Sequence, residues 1–351
     1  MNFRLTEKQI DNLVSIVILN YNAGELLSDC IESVFKTKYD NFEVILVDNA
    51  STDKSYKKCK EKFNKINLIE NEKNLGYCEG NNVGIREAKG KYVAILNPDT
   101  KVESNWLEEL VTAYKKHGDG LYQPKILAFE NRIFESAGNM LQIFGFGFPK
   151  GRGEKDERQY DEPGKIGYAS GACLFTSMKV LNKIGYFDPF LFLYHDDLEL
   201  GWRAAQMGIK SFYVPSTTIY HLASYNLKWS AQKFFWLERN RHYCLLTHYS
   251  RKTFYKMLPA LLVVEIMVLF FYFVKGFGKV KLRAYWEIIK NLKQISKKYT
   301  ELESKKTIMD KKLVMDFPDH VIIPNFISIS FTNRVFNSTI SNLSKIVKKI
   351  L

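Results

Sequence analysis

The chain has 351 residues, 46% of them hydrophobic and 25% charged, which sets it among globular proteins and excludes a disordered chain. That length is too great for one small core, so one large domain with an appendage is expected. The net charge of +13 sits in the appendage: Asn226–Leu351 holds 23 Lys+Arg against 8 Asp+Glu, and the first 225 residues hold 28 against 30.

In chain order, Val14–Leu19 reads as a strand buried on both faces, and Leu26, Leu27, Cys30, Ile31, Val34 and Phe35 then recur at helical spacing. Phe42–Val47 predicts a second strand, Asp53–Phe63 a polar helix, Ile66–Ile69 a third strand, Gly80–Ala88 a helix and Tyr92–Leu96 a fourth strand. This alternation predicts an α/β fold, a mainly parallel sheet flanked by helices, with ligands at the carboxyl ends of the strands. Those ends carry Asn20-Tyr21-Asn22, Asp48-Asn49-Ala50-Ser51-Thr52-Asp53, the stretch Asn74 to Asn82, and Asn97-Pro98-Asp99. Four polar clusters on one edge predict a site there, where a single one would be an ordinary turn.

The first strand is followed by "NYNAGELL", without GxGxxG, and no GxxxxGK[ST] occurs, so no glycine loop is available to cradle a diphosphate. Asp99 offers a carboxylate for a divalent cation instead. An alternative has Asp99 or Thr100 capping the helix of Trp106, Leu107 and Leu110. Further on, Asp196, Asp197 and Glu199 front a probable helix behind the aromatic run Phe190–Tyr194. They either complement a helix N-terminus or form a desolvated pair of raised proton affinity suited to a general base. His221 ends the strand-like "SFYVPSTTIYH" and is a metal-ligand candidate with a structural role as its alternative. Five scattered cysteines without a CxxC pair argue against a disulfide framework, a zinc site or a cysteine nucleophile.

"VSIVILNYN", "EVILVDNASTD", "NLGYCEGNNVGI", "YVAILNPDT", "SGACLFTSMKVLNKIGYFD" and "LFLYHDDLELGWR" occur in one order over roughly Leu13 to Ser250. This set resembles the family-two inverting glycosyltransferases of the Rossmann-like GT-A fold, most of all the rhamnosyltransferase-like branch that builds cell-surface glycans. The resemblance implies a UDP- or dTDP-linked sugar donor, a divalent cation (Mn2+ or Mg2+), and a glycan or lipid-linked acceptor. It further implies that Asn20, Tyr21 and Asp48 meet the nucleoside, that Gly76 lets the backbone approach it, and that Asn82 lies on the helix behind. Asn97 and Asp99 stand where the family carries DxD, with Asp99 as metal ligand and His221 as a second one. Asp196-Asp197 matches a Glu-Asp pair, with Asp197 the base, and Trp202 and Arg203 close that motif near acceptor or diphosphate. Asn97 in place of aspartate departs from the pattern and keeps alive a catalytically weak, sugar-nucleotide- or glycan-binding scaffold subunit as the alternative. Asp196 in place of glutamate is the second departure.

On this reading residues 1–225 form the catalytic domain, with a nucleotide-sugar half to about 100 and an acceptor half beyond, and 226–351 a basic helical extension. No signal-peptide plan appears near Met1, which puts the domain on the cytoplasmic face of the membrane. Met257–Val274 is apolar over 18 residues but contains Pro259 and Glu265, and Lys252, Lys256, Lys275 and Lys279 bracket it. Leu282, Tyr285, Ile289, Leu292 and Ile295 then share one helical face, so 252–298 is expected to meet a membrane surface, with a transmembrane helix at 257–274 as a variant. The alternative packs both helices on the catalytic domain or on a second copy in a homo-oligomer. Nucleic acid is not expected, since no zinc-finger or RNP-like pattern occurs.

Overall fold

The computed structural model describes residues 12–129, 132–221, 230–322 and 330–351. It divides into two compact units, one within Met1–Gly138, Gly151–Gly201 and Ile209–Asn226, the other within Asn139–Lys150, Trp202–Gly208 and Leu227–Leu351. The expected boundary between 225 and 226 lies outside the described residues.

The first unit opens with β1 (Val14–Asn20), α1 (Glu25–Phe35), β2 (Phe42–Asp48), α2 (Ser55–Lys62), β3 (Ile66–Glu70), α3 (Gly76–Glu87) and β4 (Tyr92–Leu96). β1 is buried at all seven positions because both of its faces are covered. Ile16 and Ile18 share a core cluster with Leu27, Cys30, Ile31 and Val34 of α1. Val17 and Leu19 lie against Gly84 and Gly80 of α3 on the other face. Strands so enclosed lose the polar alternation of a half-exposed strand, which is why they read as unbroken apolar runs. β3, β2, β1 and β4 are consecutive parallel neighbours.

The rest of this unit is mixed. β5 (Thr100–Val102), α4 (Trp106–His117), β6 (Gly120–Ala128) and β7 (Phe134–Ser136) follow, and β8 (Asn139–Leu141) and β9 (Gly147–Pro149) belong to the second unit. β10 (Gly164–Ile166), β11 (Cys173–Ser177), α5 (Met178–Ile184), α6 (Asp196–Gln206) and β12 (Lys210–His221) come next. β11 runs antiparallel to β4, and the order β10-β12-β6-β11-β4-β1-β2-β3 extends the sheet, with β5 on β12 and β7 on β6. The β5–β12 ladder sets His221 opposite Thr100, so the end of a late strand meets the tip of β4.

The second unit is helical: α7 (Ala231–His248), α8 (Arg251–Val274), α9 (Gly278–Lys290), α10 (Leu292–Lys305), α11 (Asp310–Met315) and α12 (Ser330–Ile350), with the β8–β9 hairpin. One helix over 282–295 is expected from the sequence, but the chain breaks at Asn291. The Asn291 side chain donates to the Glu287 carbonyl at 2.7 Å, competing with the helical ladder and ending α9.

Candidate active site

At the tips of β1 and β2 the polar groups bind one another. Asn20 is fully buried, and its amide nitrogen donates to Asp48 Oδ1 at 2.8 Å and to the hydroxyls of Ser51 and Ser55 at 3.0 and 3.1 Å. Asp48 Oδ2 accepts from the Ser51 backbone at 2.9 Å. Tyr21 stands 53% exposed beside this bracket, its ring open to a ligand. Asn49 ties the bracket to α3: its side chain donates to Asn74 Oδ1 and the Gly76 carbonyl and accepts from the Leu75 backbone.

Gly76 has φ +76, and a Cβ there would fall 2.5 Å from the Phe192 ring. Its small size thus serves contact with Phe192. Asn82 is committed as well, since its amide donates to the Phe187 carbonyl at 2.9 Å and to Glu79 at 3.0 Å and accepts from the Phe187 N–H at 3.0 Å. It pins the chain ahead of α6 to α3.

Asp99 is not a helix cap. Thr100–Val102 forms β5, and the residue at the start of α4 is Asn105. Asp99 Oδ1 instead lies 3.0 Å from His221 Nε2, and His221 Nδ1 lies 2.9 Å from Glu135 Oε2. Burial alone would lower the pKa of this imidazole, but the Glu135 charge and the bonds to both carboxylates outweigh it and raise it to about 10. Burial likewise raises Asp99, and the bond from His221 overturns that, leaving its carboxyl below the usual range. A cation displacing the Nε2 proton would meet one ring nitrogen and one carboxylate oxygen, while the second carboxylate fixes the other nitrogen. That donor set fits a divalent cation. Asn97 is held by its backbone: its N–H donates to the Ala172 carbonyl at 3.0 Å, and its carbonyl accepts from the Thr100 hydroxyl.

Asp196 and Asp197 open α6 behind a strained turn in which Phe192, Tyr194 and His195 all have positive φ, at 63, 66 and 60°. Such backbone is costly in residues other than glycine and concentrates at functional sites. Burial, and next the neighbouring Asp197 charge, holds the Asp196 carboxyl well above its ordinary value. Burial also raises Asp197, opposed by backbone N–H groups of Gly171 and Leu198, which donate to it at 3.1 and 2.8 Å. Tyr77, from α3, donates its hydroxyl to the Gly171 carbonyl at 2.7 Å. A Cβ on Gly171 would come 2.8 Å from that hydroxyl and 3.2 Å from Asp196 Oδ2, so only glycine leaves this junction open. A hydrogen-bonded chain thus runs along the edge, from Asn20 and Asp48 through Asn49 and α3 to Tyr77, Gly171 and Asp197. Ala172, the next residue, leads on to Asn97.

Trp202 and Arg203 are buried in the second unit. The Trp202 indole is enclosed by His248, Tyr249 and Phe317, a packing environment. All five cysteines are free and buried, and burial pushes the Cys30 thiol up to about 12, far from a neutral-pH nucleophile. Glu135 is not indicated by the sequence, and Tyr77 and Gly171 lie inside the Asn74–Asn82 cluster and the "SGACLF" motif without being singled out there.

The model of glycosyl transferase family 2 matches residues 15–185. The chain carries a family-two glycosyltransferase domain. This family-two chain is 27% identical over 214 residues to the low-salt glycan biosynthesis hexosyltransferase Agl10 of Haloferax volcanii, covering 59% of this chain and 66% of the relative. It is 25% identical over 233 residues to the N-acetylglucosaminyl-diphospho-decaprenol L-rhamnosyltransferase of Mycobacterium tuberculosis, covering 60% and 76%. The matched stretches cover from 15% to 76% of the length of the curated relatives. The structure of GalNAc-T7 with UDP, GalNAc and Mn2+ superposes with a TM-score of 0.57 at 19% identity, over 73% of this chain and 52% of that one. The fold is of the GT-A type.

Proposed function

We propose that this family-two enzyme transfers a sugar, with inversion, from a nucleoside-diphosphate-sugar donor to a hydroxyl of a glycan or lipid-linked acceptor in cell-surface glycan synthesis. The observation that carries the reading is the bonded edge joining the Asn20–Asp48 bracket, the Asn97–Asp99 tip and the Asp196–Asp197 pair. Tyr21, set in place by the Asn20–Asp48 bracket behind it, receives the nucleoside, UDP- or dTDP-linked; a solved structure of the same fold carries UDP. Asp99 and His221 would hold a divalent cation, Mn2+ or Mg2+, with Glu135 orienting the imidazole. Bound there, the cation supplies positive charge against the diphosphate leaving group.

Asp197 takes the proton of the acceptor hydroxyl as that oxygen attacks the anomeric carbon, and the C–O bond to the diphosphate breaks on the opposite face. Its raised proton affinity suits that task, and the Gly171 and Leu198 N–H groups aim the carboxylate. No covalent enzyme intermediate is required. Residues 1–225 would be the catalytic domain and 226–351 an extension meeting the cytoplasmic face of a membrane. α8 is the one helix among the described residues long and apolar enough to cross a bilayer, with only 28% of its apolar window buried. A lipid-linked acceptor fits such attachment, as the name of the decaprenol-using mycobacterial relative suggests.

The test is release of nucleoside diphosphate across UDP- and dTDP-sugar panels with Mn2+, Mg2+ or chelator. Metal-dependent release from one donor, lost in Asp99→Ala and cut roughly 100- to 10,000-fold in Asp197→Ala, is expected. Silence with acceptor lipid present, and no shift in melting temperature with any donor, would instead favour the scaffold subunit that the Asn97 departure allows.

A further inference from the structure

We infer that the second unit rests on an anionic bilayer with α8 lying in the plane of one leaflet, and that α8 does not cross. This depends on the membrane reading above and specifies its mode. The helix is long enough to span, since 24 residues rise about 36 Å against roughly 30 Å of hydrocarbon. Its two sides, however, are unlike. Met257, Leu261, Val264, Val268 and Tyr272 form one stripe buried within the protein. Leu262, Ile266, Phe270 and Phe273, spaced by four, four and three residues, form another that is 55 to 70% exposed.

Glu265 explains why a spanning arrangement fails. Its carboxylate accepts from Arg241 at 2.5 Å, Tyr285 at 2.7 Å, Lys281 at 2.9 Å and the His242 ring at 3.0 Å. Lys281 also bonds Glu238, and the Lys281 and Arg241 side chains are 0 and 1% exposed. A spanning α8 would therefore carry α7 and α9 into the hydrocarbon with it. α9 brings exposed Lys279, Arg283 and Lys290, which lipid does not tolerate. An in-plane helix leaves the whole cluster on the protein side.

α9 extends the contact. It follows α8 after a turn closed by the Phe277 N–H on the Tyr272 carbonyl, and Leu282, Trp286 and Ile289 make its own exposed stripe at i, i+4, i+7. Charge names the occupant. From 251 to 293 the exposed charges are Lys252, Lys256, Lys275, Lys279, Arg283, Lys290 and Lys293, and neither carboxylate of the segment, Glu265 or Glu287, is exposed. An apolar stripe ringed by cations fits an anionic leaflet, and like charges oppose docking on a second copy.

The experiment uses the full chain with vesicles of phosphatidylglycerol and phosphatidylcholine, or of phosphatidylcholine alone. All five native thiols are buried, so Tyr255→Cys, Ile266→Cys and Phe273→Cys take a fluorescent label singly, along one face over about 27 Å of helix. The parent should float with the anionic vesicles. Ile266→Asp with Phe270→Asp should cut the floated fraction roughly tenfold, with melting temperature and donor hydrolysis unchanged. All three labels should be quenched best by a shallow lipid-chain quencher, at about 5–10 Å into the interface. Depth that changes stepwise along the helix would overturn the in-plane mode and leave membrane attachment standing. A parent that never floats would overturn attachment itself. A dimer in solution that the aspartate pair dissociates would assign the stripe to a second copy and overturn the inference.

Discussion

At the scale of single residues, Asp196 is held at a cost. Its raised folded pKa means that stability is fully present while it is protonated, below the usual aspartate value near 3.9, and is lost as pH rises through the folded value. Asp196→Asn does not titrate, so its melting temperature should match the parent's near about pH 4 and exceed it increasingly toward neutrality. Calorimetry across pH reads this directly, and an advantage largest in acid would refute it. Glu135 acts through His221, so Glu135→Gln should raise the Mn2+ concentration needed for half-maximal donor release about 10- to 100-fold while leaving the maximal rate near the parent's. An unchanged metal titration would remove it from the site. Asp99 and His221 stand out in the sequence because each follows or ends an apolar strand, and the acidic pair because it opens a helix behind an aromatic run. Glu135 was not, because its contact crosses 86 positions and depends on β7 pairing beside β6.

The same divide separates the elements. β1, β2 and β4 could be read directly, since burial on both faces leaves an apolar run that only a covered strand tolerates. β5, β7 and β10 have three residues each and exist through pairing with longer partners, so no local periodicity announces them. That is why the Asp99 tip could be mistaken for a cap when a short strand intervenes before α4. The extension shows a different limit: apolar spacing located α8, but only the packed helices reveal where Glu265 points. There Lys281 stands between Glu238 and Glu265 with its side chain fully buried. Lys281→Met leaves the two carboxylates to share Arg241 and His242, and should destabilise the helical unit by about 3 kcal/mol, the lower end for a broken buried pair. Denaturant unfolding monitored by Trp286 fluorescence would show it, and a shift below a third of that would mean that Arg241 neutralises the cluster unaided.

For the whole molecule, charge and exposed apolar surface coincide in the C-terminal part of the chain. The first 225 residues are close to neutral, with 28 Lys+Arg against 30 Asp+Glu, and the excess lies in Asn226–Leu351. Each basic residue near an anionic surface contributes about 1 kcal/mol at low ionic strength, and the contribution fades as the screening length falls from about 10 Å at 0.1 M salt to about 3 Å at 1 M. The exposed stripes on α8 and α9 do not respond to salt in this way, because burial of apolar surface does not depend on Coulomb attraction. Flotation of the full chain on anionic vesicles should therefore fall by roughly tenfold or more between those salt concentrations and then level off above the residual binding of the Ile266→Asp, Phe270→Asp variant. Donor hydrolysis without vesicles should change far less, as the near-neutral part has no excess charge to screen. Flotation indifferent to salt would mean that the lysines contribute nothing and the apolar stripes act alone. Flotation abolished by salt would mean the reverse, that the stripes never enter the leaflet and the basic surface holds the protein at the headgroups.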